Sequence, residues 1–166
     1  IEKHTGIHLE VLGNSEQRFL DYKSIASSER EFNQIIQDGT AIVDVGGGSV
    51  QISLFENGSL ITTQNIRSGN LRVREKLSKV EQTESHFEQL VEELINNELE
   101  SFEKLYLKDR EIKNIIIIGD YLLELMQNSQ EESTVTMITR EEFHKKYGAI
   151  MEQSQDEVIE KYDLPS

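Results

Sequence analysis

Asp44-Val45-Gly46-Gly47-Gly48-Ser49 constrains this chain more than any other stretch, because it sets a tight turn between two strand-like runs. Upstream, Ala41-Ile42-Val43-Asp44-Val45 is apolar on both faces, the pattern of a buried central strand. Downstream, Val50-Gln51-Ile52-Ser53-Leu54-Phe55 alternates in part and reads as a second strand. Three consecutive glycines lose backbone entropy and add no packing. Such a run is tolerated where several amide N–H groups must converge with no Cβ in the way. Converging amides bind anions, phosphate above all. An acidic residue just before the turn points to a metal that accompanies the phosphate.

The turn sits in an antiparallel meander. Asn57-Gly58 is a type I′ hairpin signal, and it leads into a third strand, Leu60-Ile61-Thr62-Thr63-Gln64-Asn65-Ile66. A P-loop or a Rossmann turn differs, because there the glycines open a helix. Upstream, residues 7–12 read as a strand, and Asn14 with Gln17 three residues on reads as a capping box opening a helix that carries Phe19, Leu20 and Tyr22. A short helix is expected around Phe32, Ile35 and Ile36. Ser68-Gly69-Asn70 starts another, bearing Arg72 and Arg74. Ser85-His86-Phe87-Glu88 caps the longest, whose apolar stripe takes in Leu90, Val91, Leu94, Phe102 and Leu105. Ile115-Ile116-Ile117-Ile118 reads as a buried strand ending at Gly119, 121–127 as helix, and 135–138 as a short strand or extended loop. Thr139-x-x-Glu142 and Ser154-x-x-Glu157 announce two tail helices. The fold class is therefore α/β, a mixed sheet with a three-strand antiparallel meander flanked by helices.

Composition narrows the function. At 166 residues the chain is about one domain, by the usual ~100–200 residues each, and no linker or repeat divides it. Without Cys it needs no disulfides. It has neither a bilayer-length apolar run nor a signal-peptide pattern, so a cytoplasmic, soluble protein is the default expectation. Net charge is −14, from 31 acidic against 17 basic residues, which speaks against a nucleic-acid binder. A phosphate site here depends on local amides, a metal and a few arginines. The four His are scattered without zinc spacing. Ile1 is not a start residue and the chain stops just after a helical pattern, so it reads as a piece of a longer protein.

Four features in order carry a resemblance: Leu12-Gly13-Asn14-Ser15-Glu16-Gln17-Arg18-Phe19, then Asp44 to Ser49, then Ser68-Gly69-Asn70-Leu71-Arg72, then the isoleucine strand ending at Gly119. This order resembles the exopolyphosphatase/guanosine pentaphosphate phosphohydrolase family of the actin-like ATPase superfamily. The resemblance implies a ribonuclease H-like lobe, the second of two, spanning residues 1–166, with an N-terminal lobe that carries the first phosphate loop. It implies Glu16 as the catalytic carboxylate that orients or deprotonates the attacking water. From the residues alone, Glu16 is a first-turn helix carboxylate favoured by the dipole. Asp44 matches the residue that holds Mg²⁺ directly or through water; an Asp accepting backbone N–H bonds in a turn is the plainer account. Gly46, Gly47, Gly48 and Ser49 match the second phosphate-binding loop. Arg18 stands open between supporting Glu16 and being a solvated helix residue. Arg67, Arg72 and Arg74 read as a solvated face that adds local positive charge.

The resemblance also shows departures. Ser15 stands where the family has a first Glu, and Ser49-Val50-Gln51 replaces Ser-Thr-Glu, so Gln51 keeps the shape of that Glu and loses its charge. Gly119-Asp120-Tyr121-Leu122 lacks the second glycine and hydroxyl of the family's later turn. The expected activity is release of terminal phosphate from inorganic polyphosphate or guanosine pentaphosphate, with Mg²⁺ or another divalent cation as cofactor and little turnover by this piece alone. The alternative is a non-catalytic polyphosphate- or alarmone-binding regulatory protein; a sugar or acid kinase lobe ranks third. Expected partners are the phosphate substrate, the N-terminal lobe and a second copy in a homodimer, with no nucleic acid and no membrane.

Overall fold

In a computed structural model of the chain, residues 2–28, 31–78, 84–119, 121–126, 136–162 and 164 are described. The chain forms two compact units, Ile1–Asn33 and Gln34–Ser166.

The first unit holds α1 (Glu2–Thr5) and α2 (Asn14–Ser28). Residues 7–12, expected as a strand, form no ladder and are exposed, Val11 by 93%. Alternation alone does not make a strand: its N–H and C=O groups need a neighbour, and none of the described strands pairs with this segment. At the start of α2 the Gly13 carbonyl accepts the first two helical bonds, from the N–H of Glu16 and Gln17. Gly13 is therefore the N-cap, one residue earlier than the expected Asn14, and Glu16 rather than Gln17 occupies the third helical position. The short α3 (Phe32–Ile35) crosses the division between the units.

The second unit is built on four strands: β1 (Thr40–Val45), β2 (Val50–Glu56), β3 (Ser59–Ile66) and β4 (Asn114–Gly119), in the order β3-β2-β1-β4. β1, β2 and β3 form the antiparallel meander, and β4 runs parallel to β1. The Asn57-Gly58 turn takes positive φ at both residues, +52° and +70°, as a type I′ hairpin requires. Its two N–H groups also donate to the carbonyls of Gln37 and Ile36. Between β3 and β4 the chain crosses over through α4 (Asn70–Ser78) and α5 (Glu84–Phe102). One face of the sheet carries Ala41, Ile52 and Leu54, which pack with Phe102, Tyr106 and Leu107 at the end of α5.

Two apolar readings change here. Leu105, expected on the α5 stripe, is exposed, while Tyr106 and Leu107 join the core. The helix ends in a π-helical turn, Glu103–Leu107; one extra residue per turn rotates the stripe. The isoleucine strand is not wholly buried, since Ile115 and Ile117 are exposed. Both lie opposite Ala41 and Val43 of β1, on the terminal strand of the sheet.

Past β4 come α6 (Leu122–Met126), α7 (Arg140–Met151) and α8 (Gln155–Tyr162). Position 127 of the expected helix 121–127 and position 135 of the expected strand lie outside the described residues, and residues 136–138 form no strand. Both tail capping boxes form. The Thr139 N–H donates to Glu142 Oε2 at 2.8 Å and its hydroxyl accepts from the Glu142 N–H at 3.2 Å; Ser154 and Glu157 repeat the pattern. The Ser85–Glu88 box lies outside the described side chains. Among the described residues no helix is long and apolar enough to cross a membrane.

Candidate functional site

The glycine run is a four-residue hairpin loop closing the Val45–Val50 pair of β1 and β2. The Gly46 N–H donates to the Ser49 carbonyl at 3.0 Å. The carbonyls of the loop turn to α4: Gly46 accepts from the N–H of Asn70 at 3.2 Å, and Gly47 from those of Leu71 at 2.9 Å and Arg72 at 3.3 Å. Helix α4 therefore spends its orphan N-terminal donors on the loop and not on a ligand. What remains are the amides of Gly47 and Gly48, for which no acceptor exists among the described residues. The Ser49 hydroxyl likewise bonds no described residue. Donors left open at successive residues of a turn are the kind that an anion recruits.

Gly69 fixes this arrangement. A Cβ there would overlap the Gly46 carbonyl oxygen and the Ser49 amide nitrogen. No side chain but hydrogen allows the chain after β3 to approach the loop closely enough for α4 to latch onto it. The preceding Ser68 is buried, and its Oγ finds no hydrogen-bond partner among the described residues. The Leu71 side chain comes within van der Waals reach of Gly47. Sequence reading missed both contacts. The Ser68-Gly69-Asn70 stretch reads as a helix start, and nothing local announces that its glycine faces another loop.

The strand register places Asp44 directly opposite Gln51, and Gln51 opposite Asn65. Directly opposed residues share a face of the sheet with Cβ atoms about 4.5–5.5 Å apart, so a carboxylate and two carboxamides form one row, immediately behind the glycine loop. The next row on that face is Ile42, Ser53 and Thr63, polar on β2 and β3, where Ser53 Oγ lies 3.0 Å from Thr63 Oγ1. Asp44 and Gln51 are half-buried and Asn65 is exposed. Neither amide has a side-chain hydrogen bond among the described residues. Gln64, on the opposite face, is tied to the Thr62 hydroxyl at 3.1 Å.

Of the residues singled out in the sequence, the structure thus brings together Asp44, Gly46, Gly47, Gly48, Ser49 and Gln51. Glu16 and Arg18 belong to α2 in the first unit. The Glu16 carboxylate is exposed and accepts the Gly13 N–H at 2.8 Å, closing its own helix start. The side chain of Arg18 lies outside the described part. Of the 119–122 turn, Asp120 lies outside the described residues and Tyr121 has φ of +63°. At the far end of the sheet the charges are paired among themselves: Lys113 with Asp38 at 3.1 Å and Arg110 with Glu56 at 3.7 Å. The Asp38 carboxylate raises the Lys113 ammonium above its ordinary range.

Among the described residues no cluster of three His, Asp or Glu side chains gathers to hold a metal. One carboxylate with two amide oxygens beside it is a hard-oxygen donor set of low charge. That set suits Mg²⁺, which keeps several of its own waters, and does not suit a closed protein cage.

The secondary-structure elements define the fold as a mixed four-strand sheet with a glycine turn inside its antiparallel meander, flanked by helices. Solved structures of Ppx/GppA proteins from Aquifex aeolicus share that fold. A family member matches with TM-score 0.63 at 16% identity, over 99% of this chain and 53% of its own. The type II variant of the Ppx/GppA phosphatase matches with TM-score 0.62 at 16% identity, over 99% and 54%. A further structure of the enzyme matches with TM-score 0.65 at 14% identity, over 96% and 52%. The chain spans about half the length of each. No protein-family model matches the sequence, and no curated protein matches it.

Proposed function

We propose that this chain is the phosphate-binding second lobe of a Ppx/GppA-type phosphohydrolase, which releases the terminal phosphate of inorganic polyphosphate or guanosine pentaphosphate. The observation that carries the reading is the pair of amides at Gly47 and Gly48 that have no acceptor among the described residues, in a loop set one strand residue from Asp44 in a fold shared with Ppx/GppA structures. In this reading the Gly47 and Gly48 amides and the Ser49 hydroxyl hold the terminal phosphate. Glu16 orients the attacking water and accepts its proton. Asp44 holds Mg²⁺, which when bound offsets the charge on the phosphate oxygens. The protein is proposed to work in the cytoplasm. An N-terminal lobe closes over the phosphate, so this chain alone binds and turns over little.

Two observations favour the second reading, a binding protein without hydrolysis. Gln51, neutral, faces Asp44, and the Glu16 carboxylate is engaged by its own helix cap. Titration of this chain with tripolyphosphate and guanosine pentaphosphate, followed by amide NMR with and without Mg²⁺, tests the shared part: the Gly47 and Gly48 signals move first. Unmoved loop amides would end both readings. In the two-lobed protein Glu16→Gln then separates them. The phosphohydrolase loses about 100-fold or more in phosphate release, the usual weight of a positioned base, with binding unchanged. A binding protein releases no phosphate with either residue.

A further inference from the structure

Resting on the reading of the glycine loop as a phosphate site, we propose that Asn65 is an additional member of that site. With Gln51 it forms a carboxamide pair that orients the water shell of a divalent cation drawn to Asp44, so that the cation is held through its own waters. The register supplies the geometry. Asp44, Gln51 and Asn65 lie in one row across β1, β2 and β3 on one face of the sheet. Neighbouring strands are about 4.8 Å apart, so the row reaches roughly 10 Å from the carboxylate, further than a cation in direct contact with Asp44 extends and well matched to one with a hydration layer.

Chemistry supplies the second part of the argument. Neither amide is spent on the protein: no side-chain partner exists for Gln51 or Asn65 among the described residues. A carboxamide offers both a carbonyl acceptor and an N–H donor, which suits metal-bound water on one side and phosphate oxygen on the other. The row carries a single formal charge, and no three-ligand cluster stands nearby among the described residues. A protein cage that strips Mg²⁺ needs more carboxylates than this; a site that leaves the waters in place does not. Behind the two amides stand Ser53 and Thr63, bonded to each other at 3.0 Å, while Ile42 is the next residue behind Asp44 on that face. This row, buried at Ile42 and Ser53, closes the back of the site, and the amides face its open end.

The test uses this chain with hexaamminecobalt(III), whose ammine ligands do not exchange and which therefore binds only as a hydrated cation does. In an NMR titration, hexaamminecobalt(III) and Mg²⁺ are expected to shift the same signals, the side-chain NH₂ groups of Gln51 and Asn65 and the backbone amide of Asp44. Asn65→Ala weakens binding of the complex ion at least threefold and Asn65→Asp strengthens it by as much, with the thermal midpoint unchanged in both. Equal affinity in Asn65→Ala, shifts scattered over the acidic helices, or a response to Mg²⁺ without one to hexaamminecobalt(III) would overturn the proposal. Those outcomes leave the phosphate reading standing if tripolyphosphate still moves Gly47 and Gly48. If it does not, that reading falls first.

Discussion

Gly69 shows how much a single hydrogen atom can decide. Sequence reading makes it a helix-start glycine; the structure makes it the surface against which the glycine loop is cast. Gly69→Ala puts a methyl group into the Gly46 carbonyl and the Ser49 amide, both backbone and unable to turn aside. The expected cost is roughly 1–3 kcal/mol, as for other overpacked sites, measured by denaturant unfolding, with the α4 latch broken and tripolyphosphate binding lost. A variant of unchanged stability that still binds would show that the latch is not what shapes the loop. Glu16 was legible by type and by the helix turn it occupies. Its bond to the Gly13 N–H was not, because the capping box was read one residue too late, on Asn14 and Gln17. A short polar side chain after a glycine is a strong cap signal, yet here the glycine itself caps.

The strands illustrate what periodicity can and cannot deliver. The glycine turn and Asn57-Gly58 fix two hairpins, and the pairing of Asp44 with Gln51 follows from counting outward from the first. Counting inward from the second fails. A bulge where the register shifts between Leu54 and Phe55 leaves Ile61 without a partner, so Asn65, not Gln64, faces Gln51. One extra residue exchanges the two faces of a strand, and no residue type in β3 gives it away. The π-helical turn after α5 does the same to Leu105. The tail helices were legible because their caps are local chemistry. Backbone N–H groups at Thr139 and Ser154, then their hydroxyls, hold Glu142 and Glu157 below the ordinary carboxylate range. A depressed folded pKa means that the caps stabilise above the unfolded value, about 4.3, and that this stabilisation is lost as pH falls through the folded value. Helicity of residues 140–162, followed by NMR, is expected to fall below about pH 4. Glu142→Gln together with Glu157→Gln should remove that step while keeping the caps. A step that persists in the double variant would have another origin.

Charge balance and fold meet in the question of how so acidic a chain would hold the proposed phosphate. The α/β class, the meander and the glycine turn that joins its first two strands could be read from sequence because they rest on short-range patterns. The row of Asp44, Gln51 and Asn65 could not, because it is a property of the assembled sheet. The net charge of −14 acts at long range, whereas the Gly47 and Gly48 amides act at short range. Salt separates the two ranges. The screening length is about 30 Å at 0.01 M and about 8 Å at 0.15 M. At low salt a bound polyanion therefore feels most of the acidic surface, and near physiological salt it feels little beyond the loop and the charges within about 8 Å of it. Metal-free tripolyphosphate is accordingly expected to bind this chain more tightly as salt rises from about 0.01 to 0.15 M, the reverse of the usual behaviour of polyanion sites, which are built on excess positive charge. The gain should be a few-fold, followed by a decline once the local charges are screened too. Isothermal titration across that range decides it: a monotonic fall from the lowest salt upward would mean that Arg67, Arg72 and Arg74 set the field at the loop and that the acidic helices do not reach it.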